Sequence, residues 1–335
     1  MRRFALFLML TALAHPAAAQ LRERQPVKFV APTSIGIPYA GGTAQLPVYA
    51  SLDWTQPQAG VTRGVIVIHG LLRNADAYFA GARRAQEAAG PDGAGAIMVS
   101  PQFLADFDLP AHNLPQGTLG WTWDRWARGE PAVTPAPIST FAGIDAVVER
   151  LANPALFPNL KTIVVAGFSA GGQVVQRYAV VGQAEQYLRP GVAIEYVVSD
   201  PSSYLYFTAS RPEPAIAATC PAFNDWHYGF GRGIPPYVQG TAETLEARYI
   251  QRHVTYLLGM ADTDPNHPVL DKSCAGEAEG PQRFARGHNY WDMLMARHGA
   301  ALKQSLIDVP GIAHEGNKMF NTACGLHVLF GKAGC

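Results

Sequence analysis

An excess of either charge is missing from this sequence. Its 335 residues carry 26 Lys plus Arg against 26 Asp plus Glu, and charged residues make up only 16% of the chain. With no basic tract and no acidic tail, nothing marks a nucleic acid or an anionic membrane surface as a partner, and a neutral or mixed substrate is expected. Long apolar runs are missing too. The run from Phe4 to Leu13 is about ten residues long, whereas a hydrocarbon core needs roughly twenty. It follows Met1-Arg2-Arg3 and precedes His15-Pro16-Ala17-Ala18-Ala19-Gln20, the layout of a secretory signal peptide, residues 1–19, cut after Ala19. A secreted or periplasmic protein with no membrane association after cleavage is expected.

Cysteine is scarce. Cys220, Cys274, Cys324 and Cys335 all lie in the C-terminal half, and no two form a Cys-x-x-Cys pair, which weakens zinc and redox readings. Export makes oxidation the default. Pairing Cys324 with Cys335 closes a short C-terminal loop and leaves Cys220 with Cys274 to staple an insertion. Metal chemistry has little support, since no His-Glu-x-x-His stretch is present. Asp262-Thr263-Asp264-Pro265-Asn266 resembles the opening of a calcium loop, yet His267 stands where Gly is wanted and Ser273 where a bidentate Glu is wanted. No metal site is expected.

What is present is an alternation of buried strands and amphipathic helices. Arg63–His69, Ala96–Ser100, Lys161–Ala166, Ala193–Val198, Val254–Leu258 and Ser305–Val309 are β-branched or apolar runs of strand length. Helices are expected over Ala77–Ala89, Phe141–Leu151, Ala170–Val181 and within Arg283–Leu302. This rhythm implies a parallel sheet covered on both faces, in one domain over residues 20–335. Two stretches break it, at about 101–137 and 200–249. Loops this long inside a compact domain are usually functional insertions.

Gly167-Phe168-Ser169-Ala170-Gly171 lies between an expected strand and an expected helix, the context a nucleophile elbow needs. A serine hydroxyl requires a histidine base, and the base requires a carboxylate that fixes its tautomer. Of His267, His288, His298, His314 and His327, only His314 follows directly on a terminal strand. Asp262, just beyond the Val254–Leu258 strand, is the first choice for the acid, ahead of Asp264 and Asp200. A tetrahedral oxyanion needs two amide donors. Ala170 N–H at the helix start and Leu71 N–H after His69-Gly70 are the candidates, and the His69 side chain is read as a hydrogen-bonded core group.

In this order His69-Gly70, the Gly167–Gly171 elbow, Asp262 and His314 resemble the α/β-hydrolase superfamily over nearly all of the mature chain. His-Gly-x-x-Arg-Asn-Ala and Gly-Phe-Ser-Ala-Gly-Gly are also similar to the polyhydroxyalkanoate depolymerase and feruloyl esterase-like groups. The resemblance implies an α/β-hydrolase fold: a mostly parallel eight-stranded sheet flanked by helices with cap-like insertions, a Ser-His-Asp triad and no cofactor. The expected activity is carboxylic ester hydrolysis through an acyl-enzyme, on a small or polymeric acyl substrate, by a monomer. A peptidase or amidase using the same groups, or a binding module that kept the fold, remains an alternative. In the insertions, Trp121, Trp123 and Trp126 are candidates for an aromatic wall over an acyl pocket, and Tyr204 and Tyr206 for a pocket lining.

Overall fold

The computed structural model describes residues 23–335, so the expected signal peptide lies outside the described residues. Eight strands, β1 (Thr33–Tyr39), β2 (Gly42–Ala50), β3 (Arg63–Ile68), β4 (Ala96–Pro101), β5 (Thr162–Phe168), β6 (Ala193–Ser199), β7 (His253–Gly259) and β8 (Ser305–Val309), form one sheet. Their order is β1-β2-β4-β3-β5-β6-β7-β8. From β4 through β3 to β8 every pairing is parallel, while β1 with β2 and β2 with β4 pair antiparallel. This is the α/β-hydrolase fold.

The central strands read as unbroken apolar runs because both of their faces are buried. In β3 and β5, Ile66, Ile68, Ile163 and Val165 point into one core layer, while Val65, Val67, Val164 and Ala166 point into the other. Helices Thr140–Ala152, Ala170–Val181 and Arg283–His298 cover the first layer through side chains such as Val148, Val175 and Leu294. Helices Ala75–Ala89 and Ala323–Phe330 cover the second through Ala82, Ala85, Leu326 and Leu329.

The expected parallel strands and their helices are present, with boundaries shifted by at most two residues. The β1–β2 hairpin is an addition. Each of its strands contains a proline, Pro38 and Pro47, which argues against strand in a sequence reading; in space Pro38 lies on the edge strand and Pro47 just before the Val48–Ala50 stretch that pairs with β4. The two insertions also carry more order than expected. Short helices at Asp108–Ala111, Arg125–Arg128, Pro214–Thr219 and Ala242–Tyr249 punctuate them, and isolated bridges Ala105–Trp121 and Gly120–Thr134 stitch the first together.

Cys220 and Cys274 stand 5.7 Å apart at Cα, and Cys324 and Cys335 4.6 Å, both pairs bonded as disulfides. The first ties the end of the Pro214–Thr219 helix to the segment that leads into Arg283–His298. Closing a loop of that span should stabilise the fold by about 4 kcal/mol in the chain-entropy account. Thiol titration under denaturing, non-reducing conditions is expected to find no free thiol; one or more would break the framework. Among the described residues no helix is long and apolar enough to cross a membrane.

Candidate active site

Strand β5 delivers Ser169 directly onto the start of the Ala170–Val181 helix. Its backbone sits at φ 59°, ψ −123°, a region that a residue with a Cβ occupies at a cost of roughly 1–3 kcal/mol. The turn is tight enough to require glycine on both sides. A Cβ on Gly167 would lie 2.2 Å from the Gly171 carbonyl oxygen, and one on Gly171 would lie 2.3 Å from that of Ile68. Both clashes are with backbone and admit no side-chain adjustment.

Asp262 follows β7 and His314 follows β8, so the parallel order of the sheet carries both to the edge where Ser169 emerges. His314 Nε2 lies 2.9 Å from Ser169 Oγ, and His314 Nδ1 lies 2.6 Å from Asp262 Oδ2. Burial, only partly offset by the bond to Asp262, pulls His314 down from 6.5 to about 4, so its ring is neutral at physiological pH. With Nδ1–H donating to the carboxylate, Nε2 accepts from the serine hydroxyl. For Asp262, burial pushes the pKa upward, but the hydrogen bond to His314 and the charge of Arg283 oppose it, and the group is held below the usual carboxylate value. A serine in this arrangement can pass its proton to the imidazole as it attacks an electrophilic carbon.

Arg283 was not anticipated. Fully buried, it places Nη1 3.4 Å from Asp262 Oδ1, donates through Nε to Ser202 Oγ (3.0 Å) and through Nη2 to the Val269 carbonyl (2.8 Å). It thus fixes the carboxylate oxygen that His314 leaves free. The pair is 21 residues apart in sequence, and no local spacing announces it.

The other acids and histidines are engaged elsewhere. Asp264 is exposed and accepts from Asn266 N–H (2.8 Å), a turn-initiating use. Asp200 is fully buried, accepts from Gly259 N–H (3.0 Å), and is pushed well above the carboxylate range by burial and by the nearby charge of Asp262. His288 pairs with Asp308, His298 with Glu246, and His327 Nδ1 contacts the Lys332 carbonyl. His267 lies edge-on to the His314 ring, with centroids 5.0 Å apart. Among the described residues, no group of three or more His, Cys, Asp or Glu side chains is placed to hold a metal ion.

Leu71 and Ala170 line one cleft of about 660 Å³ beside Ser169. Ala170 opens its helix, where backbone amides lack helical acceptors. Leu71 lies in a turn closed by Arg73 N–H to the Gly70 carbonyl (3.0 Å), and its own amide makes no hydrogen bond to the described residues. The turn is pinned from below. Arg73 donates to Asp108 (2.7 Å) and to the carbonyls of Glu23 and Gln25 (both 2.8 Å), with both side chains of the ion pair buried. His69 is a core group, as its neighbours dictate: Nδ1 faces the Gly70 carbonyl at 2.9 Å, and Nε2 accepts from Phe103 N–H at 2.9 Å.

Of the aromatic candidates, only Trp123 lines the cleft. Trp121 is fully buried, packs edge-on to Phe103 and donates to the Glu130 carbonyl (2.9 Å). Tyr204 is fully buried and stacked on Tyr290 at 4.7 Å. Trp126 and Tyr206 are likewise interior. The expected placement of Trp121 and Tyr204 against substrate is therefore corrected. Their insertions fold back onto the domain, and these rings supply its packing.

No family model and no curated relative matches this sequence. Among solved structures, the chain is similar to LpqC, a poly(3-hydroxybutyrate) depolymerase from Bordetella parapertussis, at 22% identity over 90% of this chain and 92% of that one, with a TM-score of 0.60. It is also similar to poly(aspartic acid) hydrolase-1 from Sphingomonas sp. KT-1, at 23% identity over 87% and 96% of the two chains, with a TM-score of 0.57. These likenesses place the chain among proteins of the α/β-hydrolase fold.

Proposed function

We propose that this protein is an exported serine hydrolase that cleaves a carboxylic ester. The observation that carries the reading is the hydrogen-bonded chain from Ser169 Oγ through His314 to Asp262 at a strained strand-to-helix turn. Ser169 attacks the acyl carbon while His314 takes its proton. The amides of Leu71 and Ala170 hold the oxyanion, and His314 returns the proton to the departing alcohol. Water then repeats the sequence on the acyl-enzyme and releases the acid. The signal-peptide layout and two disulfides support export.

A fluorophosphonate probe tests the nucleophile directly. Peptide mass spectrometry should locate the adduct on Ser169 of the mature protein, and a folded protein that stays unlabelled would refute the reading. Matched ester and amide substrates then separate esterase from amidase.

The pH profile is a further test. His314 acts as base only when neutral, so lowering the pH through its pKa removes activity. With that pKa held down to about 4, kcat/KM on a neutral ester should stay level from neutrality to about pH 5. Below about pH 4 it should fall roughly tenfold per unit. An acid limb centred near 6.5, the ordinary histidine value, would mean that the ring is not shielded as described.

A further inference from the structure

Among the cleft residues that the mechanism leaves unused is Gln173. Gln173 donates its backbone N–H to the Ser169 carbonyl (3.0 Å), which places it in the first turn of the helix that the nucleophile precedes. It is half-buried and lines the cleft together with Leu71 and Ala170. Its amide oxygen faces inward: Oε1 accepts from Ser203 Oγ (2.9 Å) and lies 3.4 Å from Arg177 Nη1, while Arg177 Nη2 donates to the same serine (2.8 Å). A guanidinium has only N–H groups to offer, which fixes the amide orientation and turns Nε2 away from Arg177. Nε2 makes no hydrogen bond to the described residues, and it is not among the described buried polar atoms that lack a partner. It is therefore an oriented donor open to the cleft.

The support beneath this donor is costly. Arg177 is fully buried and forms no ion pair among the described residues; its remaining contacts are the His227 and Ala127 carbonyls, at 3.1 and 3.5 Å. Burying a cation without a partner anion carries a penalty of several kcal/mol. Holding Gln173 in one orientation gives that expense a use.

We propose that Gln173 is a specificity-determining residue whose amide N–H donates to an uncharged oxygen a few bonds along the acyl portion of the substrate. The proposal rests on Ser169 being the acylating nucleophile. The acyl portion is assigned to this cleft because Leu71 and Ala170, whose amides would hold the acyl carbonyl oxygen, line it together with Gln173, while the alcohol leaves towards His314. The acceptor is uncharged because Glu23, Asp124 and Asp271 along the lining are balanced by Arg24, Arg128 and the buried Arg177 behind Gln173, which leaves no positive excess to draw an anion. A carboxylate would give up hydration there with no net attraction in return, whereas a carbonyl or hydroxyl oxygen gives up far less.

Three esters of one alcohol test it: p-nitrophenyl pentanoate, p-nitrophenyl 4-oxopentanoate and mono-p-nitrophenyl succinate, each rate referred to its hydroxide-catalysed rate. Wild type should prefer the oxo ester over pentanoate by roughly 5–10-fold in kcat/KM, the size of one neutral hydrogen bond. In Gln173→Met, which keeps the length and removes the donor, and in Gln173→Asn, which shortens its reach, that ratio should fall to about one. A flat ratio in a wild type that labels at Ser169 overturns the subsite and leaves the hydrolase reading standing. A preference retained in both variants overturns it as well, and a preference for the succinate overturns the uncharged class. Failure of Ser169 to label would instead sink the reading beneath it.

Discussion

Replacing Ser169 by alanine should lower kcat on a p-nitrophenyl ester by a factor on the order of 10⁴–10⁶, with the fold intact. The magnitude follows from how the groups act together. On the proposed mechanism, removing Oγ abolishes the acyl-enzyme and the proton that His314 would accept, and what survives is the rate assistance of the amides of Leu71 and Ala170 and of binding. Stability should change little, because alanine and serine bear the same strain at φ 59° and Ser169 Oγ makes no cap bond to its helix. Stopped and steady-state assays on the variant, beside its melting curve, check both halves. A variant that keeps more than about one per cent of kcat would mean that another group carries the reaction. His314→Ala should fall by a comparable factor, and combining the two should cost little more than either alone, since residues that work as a unit are not additive.

The elements legible in the sequence are those whose signal is local. A short run that opens on four β-branched residues, Thr162–Val165, and ends at a glycine reads as a strand buried on both faces, and the Gly-x-Ser-x-Gly at its end has a steric cause visible in the contacts of Gly167 and Gly171. The order Ser169, Asp262, His314 is legible because parallel strands bring successive loops to one edge of the sheet. The β1–β2 hairpin was hidden by its prolines, which mislead a periodicity reading. Trp121 and Tyr204 were misplaced for a different reason. An irregular segment has no period to say which ring faces inward, so Trp121 and Trp123, two residues apart, could not be told apart. Arg283 and Arg177 were invisible because their roles depend on partners brought in from other elements: Asp262 and Ser202 for one, Ser203 and His227 for the other.

The same blindness covers Arg73 and Asp108, 35 residues apart, and here the expected effect is on stability. Arg73→Met removes the cation and leaves the Asp108 carboxylate buried, facing only the Val27 and Ala105 amides at 2.9 and 2.7 Å. It also strips the Glu23 and Gln25 carbonyls of their donor. Breaking a buried pair from one side costs about 3–5 kcal/mol. With an unfolding entropy of roughly 2.1 cal/mol/K per residue, this amounts to a fall in Tm of roughly 5–8 °C. Adding Asp108→Asn should return part of the loss, because the orphaned charge goes while a side chain of the same size keeps an acceptor oxygen beside the Val27 and Ala105 amides. Activity is expected to suffer beyond stability. The Arg73 side chain anchors the turn that carries Leu71, and on the proposed mechanism a displaced oxyanion donor costs on the order of 10²–10³ in kcat. A melting point unchanged in Arg73→Met would show that the pair is not buried as described. A lowered melting point with kcat intact at a temperature where the variant is fully folded would separate the anchoring of the segment around Glu23 from the placement of the Leu71 amide.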